Sequence, residues 1–288
     1  ATDDAINRIY DFVGATYYYY KHYHGRDSYD GAGKPLISTA HVSFSTGVSC
    51  TGANAAWLNA PYLQMVYGDG DGTDLLDLSL GLDVSAHELT HAVTSTASAL
   101  VYRNESGALN ESMSDCLGSA AEAWAASGGG AAGNPASITP TAETWMIGEK
   151  VAGPGLPGGA LRFMNNPTVD TISRDFYADR YTGLSDNGGV HLNSGIPNLA
   201  FYLLSQGGTH PRGRSQTSVP GIGIEKAQQI FYLANTGKNS AGVALLPSSA
   251  TFQVARFATA QAAQNLYGRC SREWQNVHMA WDAVGVTG

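Results

Sequence analysis

The sequence predicts an α+β fold: a β-rich N-terminal half followed by a mostly α-helical C-terminal half. Three observations predict it. Short β-prone runs at 36–44 and 62–67 lie in the first quarter of the chain. Helical periodicity dominates from residue 83 onward. No internal repeat interleaves the two patterns. With 288 residues, 43% of them hydrophobic, the chain can bury a large core in one or two domains, divided here as 1–97 and 98–288. Only 14% of residues are charged and 35 are glycine, the profile of a loop-rich globular chain rather than a disordered one. A net charge of −8 without a basic stripe argues against a nucleic-acid partner and suits a monomer kept apart by like charge. No apolar run reaches membrane-spanning length, so no membrane partner is expected.

The elements follow in order. Residues 4–23 place Ile6, Ile9, Tyr10, Phe12, Val13, Tyr17, Tyr20 and Tyr23 at near-helical spacing. The run Tyr17-Tyr18-Tyr19-Tyr20 reads as a ligand platform or as core packing with one wet edge, and packing is favoured. Turn chemistry at 28–33 ends that helix. A Gly/Ser/Asn loop around Val48–Asn54 separates the two β-prone runs, and the second ends in Gly68-Asp69-Gly70-Asp71-Gly72. An EF-hand would need an acid twelve positions along; counted from Asp69 that position is Leu80, so a tight turn is expected instead. Helices are predicted over 83–98 and 105–126, with a mostly irregular stretch at 127–160. Further helices are expected at about 191–206, 224–235, 249–267 and 271–284. The start Ala1-Thr2-Asp3-Asp4 has no basic or apolar leader and reads as a processed end. Three cysteines are an odd number: Cys116 lies in an apolar helical run, Cys50 and Cys270 in loops, and their usage does not settle the compartment.

The strongest chemical signal is His87-Glu88-Leu89-Thr90-His91, an HExxH pattern. Residues four apart share a helix face, so two imidazoles can address one zinc ion, with Glu88 beside it to take a proton from water. A chance match is expected well under ~5% of the time, and two buried histidines without a partner would be costly. A third histidine six residues on is absent, since that position is Ala97. Glu111 is the candidate third ligand: it stands twenty positions beyond His91 on the next helix, and an antiparallel return would bring it to the same ion. The bland alternative for Glu111 is a solvated helix glutamate. Asp115, one turn later, is placed to orient a ligating imidazole. Tyr102 reads either as a packed tyrosine or as a donor to a developing oxyanion. His191, behind Gly188-Gly189 at a helix start, carries little meaning alone. Asp83 reads as a helix N-cap and Glu122 as a solvated residue.

Taken together, the stretches 67–72, 83–93, 104–115 and 187–195 resemble the thermolysin family of metalloendopeptidases, and the resemblance runs from Ser28 nearly to the end of the chain. It implies a secreted endopeptidase acting on proteins and peptides, made with a propeptide that is removed, with zinc in a cleft between the two halves. It implies His87, His91 and Glu111 as zinc ligands, Glu88 as general base for a metal-activated water, and Tyr102 and His191 as transition-state donors with Asp186 orienting His191. It also implies Asn54, Ala55 and Arg162 as substrate-backbone contacts. Leu75, Leu78, Val84, Ile147, Val151 and Leu161 correspond to an apolar pocket that prefers bulky apolar residues after the cleaved bond. Asp83, Glu122 and Glu149 correspond to calcium ligands; Thr144 and Met146 stand at two acidic positions of two-calcium members, with Glu143 as a neighbouring substitute, so one structural calcium is expected. Ala56 replaces a usual aromatic, and the loops at 48–53 and 58–63 look longer than usual, which bears on subsite preference. Two rivals carry less: a zinc exopeptidase, for which no amine-binding Gly-x-Met-Glu-Asn run is present, and a non-catalytic zinc-binding protein.

Overall fold

The computed structural model describes residues 2–45, 47 and 49–288; Ala1 and Val48, named above, lie outside the described residues. The helix expected over 4–23 forms as α1 (Asp4–Tyr18), continued by a π-helical turn over Tyr19–Tyr23. Asp3 caps it by accepting a hydrogen bond from the Ile6 N–H at 3.1 Å. Ile9 and Val13 turn inward while Tyr10 is 80% exposed. The wider π turn lets two successive tyrosines go inside. Tyr19 lies edge-on to Trp124, and the Tyr20 hydroxyl bonds that of Thr90 at 2.6 Å. The four-tyrosine run is thus half core.

Five short strands follow: β1 (Ser38–Thr39), β2 (Phe44–Ser45), β3 (Cys50–Thr51), β4 (Ala55–Leu58) and β5 (Gln64–Tyr67). β5 is the centre of a three-stranded sheet, parallel to β1 and antiparallel to β4, while β2 and β3 pair separately. Met65, Val66 and Tyr67 are buried on β5. The glycine-rich turn after it is the tight turn expected: Asp71 Oδ1 accepts from the N–H groups of Thr73, Asp74 and Leu75 at 2.8–3.0 Å. Glycine is required at position 68, where a Cβ would stand 2.0 Å from the Gly52 carbonyl oxygen.

His41 links these parts. Its Nδ1 lies 2.6 Å from Asp69 Oδ1 and its Nε2 3.0 Å from Asp3 Oδ2, the residue that caps α1. Asp69, then Asp3, raise the imidazole pKa above its ordinary 6.5. The sign follows from the direction: the charged form is favoured by folding, so its contribution is complete below the unfolded pKa and is lost as pH rises through the folded one. Comparing thermal midpoints of the parent and His41→Gln at low salt should show the parent's advantage largest below pH 6.5 and fading above it. A gap independent of pH would exclude the ion pairs as its source. Because all three groups are exposed, salt should shrink the effect.

Two long helices come next, α2 (Leu82–Thr96) and α3 (Asn104–Ala126). α2 is buried almost continuously from Asp83 to Thr90, as a helix packed on several sides must be. α3 approaches it through a small residue: a Cβ on Gly118 would lie 3.1 Å from the Asp83 carbonyl oxygen and 3.2 Å from the His87 nitrogen. The stretch 127–160 is irregular, as expected, apart from single turns and a two-residue strand. The last third is helical: α4 (Asp186–Asn193), α5 (Gly195–Gln206), α6 (Ile224–Thr236), α7 (Phe252–Tyr267) and α8 (Arg272–Ala283). Thr251 caps α7 and Ser271 caps α8. Alanines at 255, 258, 262 and 263 let α7 pack closely with its neighbours, and Trp281 donates its indole N–H to Thr259 at 2.9 Å. By contacts the chain divides into two compact units, Ala1–Val93 with Gly118–Leu161 and Thr94–Leu117 with Arg162–Gly288. The α+β class is confirmed, with a small sheet in the N-terminal part and helices in the C-terminal part. All three cysteines are free thiols, Cys116 buried and the other two exposed. No helix among the described residues is long and apolar enough to cross a membrane.

Candidate metal centre

His87 and His91 stand one turn apart on α2 with their Nε2 atoms 2.9 Å from each other. Glu111 is the seventh residue before Gly118 on α3, two turns back on the same face. Among the described residues, His87, His91 and Glu111 are the group of three whose ligand atoms all lie within 4.8 Å of one another. Two imidazole nitrogens and a carboxylate suit zinc, which takes such ligands at roughly 2.0–2.2 Å and places them about 3.3 Å apart in a tetrahedron. The donor set therefore fits the ion, and three ligands leave a fourth position open.

Glu88 points to the sheet. Its Oε2 accepts the Trp57 N–H at 2.7 Å. That donor is available for a reason of register. The Asn54 carbonyl accepts the Gly68 N–H at 3.0 Å, so Asn54, Ala56 and Leu58 bond towards β5. In antiparallel alternation, Ala55 and Trp57 then turn their N–H and C=O groups to the open edge of β4. The Trp57 ring is held by Asn59, which accepts its indole N–H at 3.1 Å, and by Tyr29 at 5.1 Å between centroids. Trp57 was not among the residues singled out from sequence, because its contact is made by the backbone and leaves no side-chain signal. Asn54 is exposed at the head of the same strand.

Tyr102, His191 and Asp186 meet as a chain. The Tyr102 hydroxyl donates a short hydrogen bond to Glu111 Oε1 and lies 3.1 Å from His191 Nε2. Asp186 accepts from His191 twice, from Nδ1 at 2.6 Å and from the backbone N–H at 2.8 Å. This fixes the ring with Nε2 towards Tyr102. Both side chains are reachable: Tyr102 is 41% exposed and the His191 side chain 46%. Left-handed backbone at Asn187, Gly188 and Gly189 makes the turn, and a Cβ on Gly188 would lie 2.1 Å from Asn104 Oδ1. Gly107 brings the two strips of chain together, since a Cβ there would meet Val190 Cγ1 at 2.4 Å and the Tyr102 carbonyl carbon at 2.9 Å.

Asp115 is fully buried and accepts from Arg162 Nε and Nη2 at 2.8 and 2.7 Å and from Asn198 Nδ2 at 2.8 Å. Burial works against the guanidinium charge, but Asp115 outweighs it and raises the Arg162 pKa. Asn198 is a second residue that sequence reasoning missed. The apolar set converges in part on Gly148, where a Cβ would touch Leu161 and Val151. Leu161 donates its N–H to the Ile147 carbonyl, and Leu75 bridges Ala152. Leu78 and Val84 are buried.

The three acids Asp83, Glu122 and Glu149 form a separate cluster. Asp83 accepts the N–H of Val84 at 2.8 Å and that of Gly148. Burial, then Asp83 and Glu149, push Glu122 up to about 9; burial, then Asp83, push Glu149 up to about 7. Both Glu149 oxygens are buried without a hydrogen bond. Such a group is costly unless a cation or proton joins it, so the acids fit an oxygen-seeking ion in chemistry. They are spread more widely than His87, His91 and Glu111. Glu143 does not join them: its carboxylate is 62% exposed and holds Lys150.

Comparison with known proteins accords with this geometry. Residues 3–95 match the model of the thermolysin metallopeptidase catalytic domain, and residues 98–286 that of the thermolysin metallopeptidase alpha-helical domain. A thermolysin of Alicyclobacillus acidocaldarius subsp. acidocaldarius is 46% identical over 284 residues, covering 99% of this chain and 46% of that protein. Neutral protease B of Bacillus subtilis (strain 168) is 40% identical over 272 residues, covering 94% of this chain and 43% of its own length. The solved precursor of protealysin, a metalloproteinase from Serratia proteamaculans, superposes with a TM-score of 0.75 at 31% identity, covering 99% of this chain and 80% of that one. The chain belongs to the thermolysin family of metallopeptidases. It spans about half the length of the curated relatives it matches.

Proposed function

We propose that the chain is a zinc-dependent endopeptidase that hydrolyses internal peptide bonds, with bulky apolar residues preferred on the leaving-group side. The observation that carries this is the convergence of His87, His91 and Glu111 within 4.8 Å, with Glu88 on the same helix as the histidines and the Tyr102–His191–Asp186 chain joined to Glu111. Zinc held by His87, His91 and Glu111 supplies Lewis acidity that polarises a carbonyl and acidifies water. Glu88 takes the proton from the attacking water and passes it to the leaving amine. The Tyr102 hydroxyl and His191 Nε2 donate to the oxyanion as it develops, and Asp186 keeps the His191 ring aimed. A substrate strand pairs with the open edge of β4 at Ala55, with Asn54 reaching its backbone. Arg162 spends Nε and Nη2 on Asp115 and offers Nη1 to a substrate carbonyl.

The reading extends to the chain's setting. Residues 1–97 and 98–288 serve as the two parts of the enzyme, which acts as a secreted monomer released from a propeptide. The longer curated relatives and the precursor form of the protealysin structure support the propeptide. One structural calcium sits among Asp83, Glu122 and Glu149, supported by the two Glu149 oxygens that accept no hydrogen bond.

A library of blocked peptides varied only at the position after the scissile bond tests the specificity. Apolar burial of the order of 1.5–3 kcal/mol for a full side chain gives Leu and Phe at least a roughly tenfold advantage in kcat/KM over Asp. A flat profile would remove the apolar preference, and cleavage only of peptides with a free terminal amine would remove the endopeptidase reading.

A further inference from the structure

Glu149 presents an unusual balance. Its side chain is only 7% exposed and neither oxygen accepts a hydrogen bond, yet the next residue in the chain is a lysine. Lys150 Nζ lies 3.7 Å from Glu149 Oε1 and 3.0 Å from Glu143 Oε2. The longer contact supplies charge compensation without a hydrogen bond. The shorter one holds the ammonium towards solvent, where Glu143 is 62% exposed and Lys150 49%. The ammonium therefore lies between Glu149 on its inner side and Glu143 on its outer side, within reach of both. Asp83, also buried, accepts the backbone N–H groups of Val84 and Gly148.

We propose that Lys150 is a resident counter-cation of the Asp83–Glu122–Glu149 cluster that competes with calcium for Glu149, with Glu143 as the seat to which it withdraws when calcium binds. The inference rests on the calcium reading given above. Lys150 stabilises the cation-free fold and weakens calcium binding by the same charge. Glu143 acts in the opposite sense, by drawing the ammonium off the cluster.

The test is calcium titration of the zinc-loaded, dialysed full chain by calorimetry, with thermal midpoints recorded with and without calcium. Removing one partly exposed positive charge at this range should tighten calcium binding by roughly three- to tenfold in Lys150→Ala. That variant should also melt lower than the parent without calcium and gain more from its addition, while Lys150→Arg keeps the parent's affinity. Glu143→Gln should weaken binding, and most of that loss should disappear when Lys150→Ala is also present. Equal calcium affinity in the parent and Lys150→Ala would overturn the role of Lys150 and leave the calcium site standing. An equal loss from Glu143→Gln in both backgrounds would overturn the two-seat arrangement. No binding and no stabilisation by calcium in either protein would remove the calcium site and this role with it.

Discussion

Glu88→Gln should bind zinc like the parent yet hydrolyse a blocked peptide about 10²–10⁴ times more slowly, the range for losing a positioned general base. The amide oxygen can still accept the Trp57 N–H that Glu88 Oε2 accepts at 2.7 Å, so β4 and α2 keep their register. His87 and His91 lie on either side of it on α2 and are untouched. What the amide cannot do is take a proton at neutral pH. Zinc content by atomic absorption and kcat/KM on one substrate separate the effects. Parental turnover would remove Glu88 from the chemistry, and loss of zinc would make its role structural.

Arg162→Met should cost about 3–5 kcal/mol of stability, because it removes the guanidinium that faces a buried carboxylate at 2.7 Å. Asp115 is fully buried and accepts two hydrogen bonds from that guanidinium and one from Asn198. Replacing both members, as Asp115→Leu with Arg162→Met, should recover part of the loss, since a well-packed apolar pair avoids the desolvation cost. Urea unfolding of the two single variants and the double variant measures this. A cost below about 1 kcal/mol for Arg162→Met would mean that the pair is solvated in solution. The same contact gives Arg162 a second task besides the one implied by resemblance, since it anchors the helix that carries Glu111.

The helix that carries the candidate metal ligands was legible because its signal is local: His87, Glu88 and His91 lie within five residues, and the two histidines share one helical face. Glu111 was legible only through the expectation of a helical return, which Gly118 makes possible by letting α3 approach α2. The C-terminal helices were found within a few residues because apolar periodicity there is long and regular. The short strands were harder: β4 carries Ala55-Ala56-Trp57-Leu58, whose composition says little about which edge is open. Register settled that, and with it the Trp57 N–H that meets Glu88. The π turn at Tyr19–Tyr23 was hidden because helical spacing alone does not show one extra residue in a turn. Asn198 stands 83 positions from Asp115, and nothing in sequence joins them. Lys150 stayed out of view for a different reason: a lysine beside a glutamate is unremarkable until the glutamate proves buried.

The most direct measurement removes the metal and returns it. Hydrolysis of a blocked internal peptide with Leu after the scissile bond is followed before chelation, after chelation and dialysis, and after stepwise zinc addition. Activity that vanishes and is restored in proportion to zinc, saturating near one ion per chain, is the expected result. A zinc-free chain that hydrolyses the peptide at the original rate would contradict the assignment of His87, His91 and Glu111 as the reactive centre.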